Sequence, residues 1–278
     1  MSPAPEAPAL PGPALLFCPA DRPDRYAKAA ARADAVILDL EDAVAPDAKD
    51  AARRAVQEAW PGLDPDRTVL RVNPRQSPWW EEDAAAAARL GVRWVMLPKA
   101  EDPAAVRALA PARVIALCET AAGVLAAPAL AAEPGCAALT WGAEDLMADL
   151  GGAGSRRSRD GAPHDVVLHA RSSVLLAAAA HRTAAIDTVF LDIADLEGLA
   201  AESAEAAESG FTAKMCIHPG HAGPIRAAFR PSEEELRWAR GVTAAAAEAG
   251  SGVFRFEGRM IDAPLLGQAR AILRRAGE

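Results

Sequence analysis

Short apolar runs alternate with Ala-rich helical stretches along most of the chain. The runs cover residues 14–18, 35–40, 68–72, 92–97, 114–118, 137–141, 184–191 and 212–217. They are continuous rather than alternating in polarity, the pattern of strands buried on both faces of a parallel sheet. Helical stretches lie between them, for example 25–32, 47–59, 81–90 and 166–181. Alanine favours helix, and its small side chain lets a helix pack close to a sheet. Eight strand–helix units predict a TIM (β/α)8 barrel. An open doubly wound sheet is the alternative, but no GxGxxG follows the first run. The sixth run has the weakest strand character, and the seventh ends between Asp187 and Asp192.

Beyond the eighth run the pattern changes. Ser232 with Glu235 has the spacing of a capping box and opens a helix to about Ala249. An extended excursion over 252–260 and a last helix over 263–275 follow. A barrel does not need this tail to close, so it packs on the barrel or reaches a neighbouring subunit. The expected organisation is a disordered leader over 1–13, a barrel domain over 14–230 and a C-terminal extension over 231–278.

Composition narrows the function classes. The chain has 278 residues, 51% of them apolar, enough for a single large core. Its net charge of −8 gives no electrostatic footprint for nucleic acid. No apolar run approaches the length of a membrane span, and the Pro/Ala-rich start lacks the features of a signal peptide. The four cysteines, Cys18, Cys118, Cys136 and Cys216, have no CxxC spacing. They read as reduced core thiols of a cytoplasmic protein.

Candidate chemistry gathers after the runs, where a barrel carries its active face. Run two ends in Asp39-Leu40-Glu41-Asp42, run three in Arg71-Val72-Asn73 and run four in Pro98-Lys99. Run five ends in Glu119-Thr120, run six leads into Gly142-Ala143-Glu144-Asp145, and run eight ends in His218-Pro219. Carboxylates around an open position suit Mg²⁺, which keeps waters and takes one or two protein carboxylates. No His or Cys pairs with them as zinc would require. An arginine among them could hold a substrate carboxylate or an enolate oxygen. Each residue also has a structural reading. Arg71 could pair with Asp42, Glu119 could favour a helix N-terminus, Asp145 could cap a helix, Lys99 could be solvated and His218 structural. The Ser155–Arg159 stretch is either a solvated basic loop or a phosphate contact. Spacing alone reaches a metal-assisted barrel enzyme acting on a carboxylated substrate.

Motifs carry the reading further. Leu16-Phe17-Cys18-Pro19-Ala20, Val36-Ile37-Leu38-Asp39-Leu40-Glu41-Asp42, Leu70-Arg71-Val72-Asn73 and Met96-Leu97-Pro98-Lys99 occur in order. Glu119-Thr120-Ala121-Ala122-Gly123, Trp141-Gly142-Ala143-Glu144-Asp145, Cys216-Ile217-His218-Pro219 and Met260-Ile261-Asp262-Ala263-Pro264 complete the series. Together they resemble the citrate lyase beta-subunit-like family of CoA ester lyases, in its stand-alone form. Relatives often carry an Arg-Ser pair where Gly12-Pro13-Ala14 stands here.

The resemblance implies a TIM barrel that cleaves or forms a carbon–carbon bond between a CoA thioester and a small keto or aldehyde acid. It implies Mg²⁺ held by Glu119 and Asp145, with Glu119 also bordering the substrate. Arg71 would stabilise an enolate, oriented by Asp42 or Glu41, and Asp262 would act as the proton acceptor. The tail would carry Asp262 to an adjacent subunit, implying a homotrimer or higher homo-oligomer. The CoA diphosphate is placed near Arg22, Arg25 or Lys28 from position. Alternatives are a thioesterase on the same esters, a CoA-independent hydroxy-keto-acid aldolase, and a non-catalytic assembly subunit.

Overall fold

The computed structural model describes residues 10–250 and 252–278. Eight parallel strands close into a barrel in sequence order. They are β1 (Ala14–Pro19), β2 (Ala35–Asp39), β3 (Thr68–Arg71), β4 (Trp94–Leu97), β5 (Arg113–Cys118), β6 (Cys136–Trp141), β7 (Ala184–Asp187) and β8 (Ala213–Cys216). β8 pairs back onto β1, with Ala14 opposite Lys214. All eight apolar runs are strands, so the expected barrel is the observed fold. The sixth run is a strand as well, and its pairing with β5 shifts register between Val114 and Ile115. The seventh stops at Asp187, and residues 188–195 form a loop rather than more strand.

Helices α1 (Tyr26–Ala30), α2 (Lys49–Ala59), α3 (Trp80–Leu90), α4 (Pro103–Ala108) and α5 (Ala121–Ala131) follow the first five strands in turn. After β6 come α6 (Ala143–Asp149) and α7 (Asp165–His181); α8 (Leu196–Ser209) follows β7 and α9 (Ala222–Phe229) follows β8. Local chemistry sets several of these ends. Thr120 caps α5, its hydroxyl accepting from the Gly123 N–H at 3.0 Å. α3 stops at Gly91, whose φ of 62° lies in the left-handed region that a side chain disfavours.

Leu15, Ile37, Val69, Trp94, Met96, Ile115, Leu117, Ile186 and Met215 fill the barrel, with Ala35, Ala138 and Ala213 making room for the larger rings. Alternate strand positions such as Val36, Leu38, Leu70 and Val95 are also buried, because helices cover the outer face. All four cysteines are buried thiols. Of the expected leader, residues 1–9 lie outside the described residues. Leu10 packs against the barrel core, and the Pro13 carbonyl accepts from the Lys214 N–H at 2.8 Å.

The chain divides into two compact units between Ile225 and Arg226, within α9 and slightly before the boundary expected from sequence. The second unit holds α10 (Glu233–Ala249), a hairpin of β9 (Phe254–Phe256) and β10 (Arg259–Ile261), and α11 (Ala263–Ala276). Ser232 and Glu235 form the capping box read from their spacing. Ala239, Val242, Ile261 and Ala269 are its buried centre. Among the described residues, no helix is long and apolar enough to cross a membrane.

Candidate active site at the strand ends

β2 and β3 place Asp39 and Arg71 as register partners at their last positions. The pair is bidentate: Arg71 Nε donates to Asp39 Oδ1 at 2.7 Å and Nη2 to Oδ2 at 2.6 Å. Asp39 also accepts from the backbone N–H groups of Glu41 at 2.8 Å and Ala43 at 3.1 Å, so it shapes the turn that follows it. Arg71 Nη1 faces Glu41 Oε2 at 2.8 Å. The guanidinium carbon lies 4.8 Å from the Phe17 ring centre, an apolar face that holds the planar group without competing for its protons. Burial alone would lower the Arg71 pKa, but Asp39 and Glu41 outweigh it and raise it.

Of the two carboxylates expected to orient Arg71, Asp42 stands farther from it than Glu41. Asp42 is exposed and its carboxylate is 3.9 Å from Nη1, whereas Asp39 makes both short bonds. The reason is strand register: Asp39 ends the strand beside Arg71, while Asp42 lies in the turn that follows. Glu41 does contact Arg71, as expected.

Glu41 is itself supported. Lys99 Nζ bonds to Glu41 Oε1. Lys49 Nζ binds the carbonyls of Leu40 and Glu41 at 2.6 and 2.7 Å and Asn73 Oδ1 at 2.8 Å, pinning the segment that carries Glu41. Burial raises the Glu41 pKa against the opposing pull of Arg71 and Lys99. Lys99 is therefore bonded rather than solvated. Its φ of 47° is left-handed, a costly conformation for a side-chain-bearing residue. That turn aims the Lys99 N–H at Glu119 Oε1, 3.0 Å away.

β5 and β6 bring in the other carboxylates. Cys118 and Trp141 are register partners, so Glu119 and Gly142 follow at adjacent positions. A Cβ at Gly142 would stand 3.0 Å from Glu119 Oε2 and 3.5 Å from Asp145 Oδ2. Both oxygens thus border one small space that the absent side chain leaves open. Gly142 has an ordinary φ of −124°, so room rather than backbone freedom is what glycine provides here. Burial, then the neighbouring Glu41 and Asp145 carboxylates, push the Glu119 pKa up to about 8. Lys99 and Arg71 pull the other way without cancelling the rise.

Among the described residues, no three His, Cys, Asp or Glu side chains form a metal cage. Two converging carboxylate oxygens are nevertheless the donor set of Mg²⁺, which leaves its other positions to water and ligand. The residues present fit that ion and not zinc. Glu119 does not cap α5; Thr120 does. Asp145 is the third residue of α6 and makes no capping bond there.

The remaining candidates have their own contacts. His218 Nδ1 accepts from the Gly220 N–H at 3.2 Å, a local turn contact. In the basic loop, Arg156 pairs with Glu202, while Arg157 and Arg159 pair with Asp160 at 3.3 and 3.2 Å. Arg22 pairs with Asp24 at 3.0 Å. Asp262, in the second unit, caps α11 by accepting from the Leu265 N–H at 3.3 Å.

Residues 14–219 match the HpcH/HpaI aldolase/citrate lyase family, and the chain belongs to it. It is 52% identical over 267 residues to the citrate lyase subunit beta-like protein of Mycobacterium tuberculosis, covering 96% of each. It is 34% identical over 313 aligned positions to the L-malyl-CoA/beta-methylmalyl-CoA lyase of Cereibacter sphaeroides, covering 99% of this chain and 97% of that one. The crystal structure of protein CitE from M. tuberculosis, in complex with magnesium, acetoacetate and coenzyme A, matches with a TM-score of 0.88. It is 52% identical, over 96% of this chain and 98% of that chain.

Proposed function

We propose that this protein is a magnesium-dependent carbon–carbon lyase. It would cleave, or in reverse form, a short β-hydroxyacyl-CoA ester, giving an acyl-CoA and a keto or aldehyde acid. The observation that carries this is the convergence of Glu119 and Asp145 beside Gly142, on a chain half identical to a protein crystallised with magnesium, acetoacetate and coenzyme A. The lyase names of its other relatives support the same reaction class.

Glu119 Oε2 and Asp145 Oδ2 would hold the ion, with Glu119 Oε1 kept on the Lys99 N–H. Magnesium, when bound, supplies Lewis-acid stabilisation of negative charge on the acid half of the substrate. Arg71 serves the thioester half. A guanidinium has five N–H groups, and two of them are committed to Asp39. The Nη hydrogens not turned to Asp39 or Glu41 would bind the thioester oxygen as the carbon–carbon bond breaks and its electrons enter the enolate. Asp39 and Glu41 hold the guanidinium so that this contact costs no reorganisation.

Cleavage also needs a base for the substrate hydroxyl. Asp262 is proposed for it, delivered by residues 231–278 of a neighbouring copy in a homotrimer or higher oligomer. The hydroxyl proton would pass to Asp262 as the acid half becomes a keto or aldehyde acid, and the protonated Asp262 would then give that proton to the enolate carbon, releasing the acyl-CoA and restoring the carboxylate.

The deciding experiment is a mass-spectrometric screen of small β-hydroxyacyl-CoA esters incubated with protein and Mg²⁺. Acyl-CoA plus keto acid, lost on chelation, supports the lyase. Free hydroxy acid plus CoA indicates a thioesterase instead, and turnover of free hydroxy-keto acids without CoA indicates an aldolase.

A further inference from the structure

The barrel wall contains a buried ionic cluster that the proposed chemistry does not use. Asp187 ends β7 and Lys214 lies on β8 as its register partner. Lys214 is fully buried, with Nζ 2.9 Å from Asp187 Oδ2. Arg171 of α7 donates to Asp187 Oδ1 at 3.1 Å and reaches Glu205 at 2.6 Å. Burying these charges is costly, and well-packed apolar side chains commonly serve stability as well or better. A stability role alone therefore explains the cluster poorly.

Another of its bonds points elsewhere. The Trp141 indole N–H donates to Asp187 Oδ1 at 2.9 Å. Trp141 is the last residue of β6, and the next residue is Gly142. Gly142 borders both the Glu119 and Asp145 carboxylate oxygens, and its carbonyl accepts the Leu146 N–H at 3.3 Å to start α6, the helix that carries Asp145. A shift of the Trp141 ring would move this corner, and the space between the two carboxylates with it.

We infer that Asp187 and Trp141 are positioning residues for the carboxylate pair, Asp187 anchoring the indole and the indole fixing the β6–α6 corner. Lys214 and Arg171 keep Asp187 in place as the acceptor. The inference rests on the reading of Glu119 and Asp145 as the magnesium donors. Outer contacts of this kind govern how well ligands present themselves to a metal.

The test measures Mg²⁺ binding to the metal-free protein by calorimetry, alongside the melting temperature. Trp141→Phe keeps an aromatic ring and removes the N–H. The Asp187→Leu/Lys214→Met double variant removes the acceptor together with its buried counter-charge, and decides the matter if the Phe variant does not fold. Each is expected to bind Mg²⁺ about tenfold more weakly, the lower end for loss of a supporting contact, with turnover recovering at saturating Mg²⁺. Folded variants that bind Mg²⁺ as the parent does would overturn the inference. Glu119→Gln is the control: if it also binds as the parent does, the metal assignment itself has failed.

Discussion

Arg71 and Asp39 face each other across β2 and β3 through two bonds of 2.7 and 2.6 Å, both groups almost completely buried. The guanidinium plane is thus set by the barrel itself. Asp39→Asn should lower kcat about a hundredfold, the scale of a misplaced catalytic group. It should also lower the melting temperature, because it leaves a buried cation short of charge. Asp42→Asn removes only a 3.9 Å surface contact and should stay within about 0.5 kcal/mol of the parent. Steady-state kinetics and thermal melts on the two variants check this; equal effects would reject the assignment of Asp39.

Glu119 is a carboxylate buried among carboxylates. Glu119→Gln removes that crowding while its amide oxygen can still accept the Lys99 N–H. The metal-free variant should melt at or above the parent temperature. Saturating Mg²⁺ should stabilise the parent by about 3 kcal/mol at a hundred times its Kd and leave the variant unmoved. A variant that gains as much from Mg²⁺ as the parent would sink the metal assignment.

Gly142→Ala adds one methyl 3.0 Å from Glu119 Cβ and Oε2. Its ordinary φ means the backbone itself tolerates alanine. We expect a near-normal melting temperature with Mg²⁺ affinity down about tenfold. Unchanged affinity in a magnesium titration would show that the space beside Gly142 is not the ion's.

Asp262→Asn should lower kcat with little change in Mg²⁺ affinity, since amide and carboxylate oxygens can both cap α11. Mixing Asp262→Asn protein with Arg71→Ala protein should restore activity if one copy supplies Asp262 to another's barrel. No recovery after confirmed subunit exchange would place Asp262 outside a shared site.

Burial alone would raise the Asp187 pKa, but Lys214 and Arg171 outweigh it and hold it below its ordinary 3.8. A carboxylate depressed on folding contributes stability that is fully present above its unfolded value and lost as pH falls through the folded one. Asp187→Asn should therefore be less stable than the parent at pH 7, with the gap narrowing below about pH 4. Urea unfolding across that range tests it; a gap that stays constant contradicts the ionic role.

The barrel was legible because continuous apolar runs at regular spacing have few other ways to be buried, and Ala-rich helices close the pattern. Glu119, Asp145 and Arg71 were legible as candidates because each follows an apolar run, where a parallel barrel gathers its polar groups. Asp39 was passed over although it stands at the end of its run. Choosing it over Asp42 requires knowing that it lies directly opposite Arg71, and register is a pairing between strands. Lys99 read as a possible solvated cation for a similar reason. Its left-handed backbone and its two carboxylate partners come from different strands and leave no mark in its own neighbourhood.

By itself, then, the chain's order of residues determined the strands, the helices between them, the capping box at Ser232 and the end of the barrel that carries the polar groups. These follow from short-range propensity and from the burial of apolar surface, which are properties of contiguous segments. Only the tertiary structure decided that Asp39 holds Arg71, that Gly142 leaves room between Glu119 and Asp145, and that Asp187 bonds Trp141. Those contacts join residues from 3 to 46 positions apart, and they exist because barrel closure brings strand ends into one register at separations of a few ångströms.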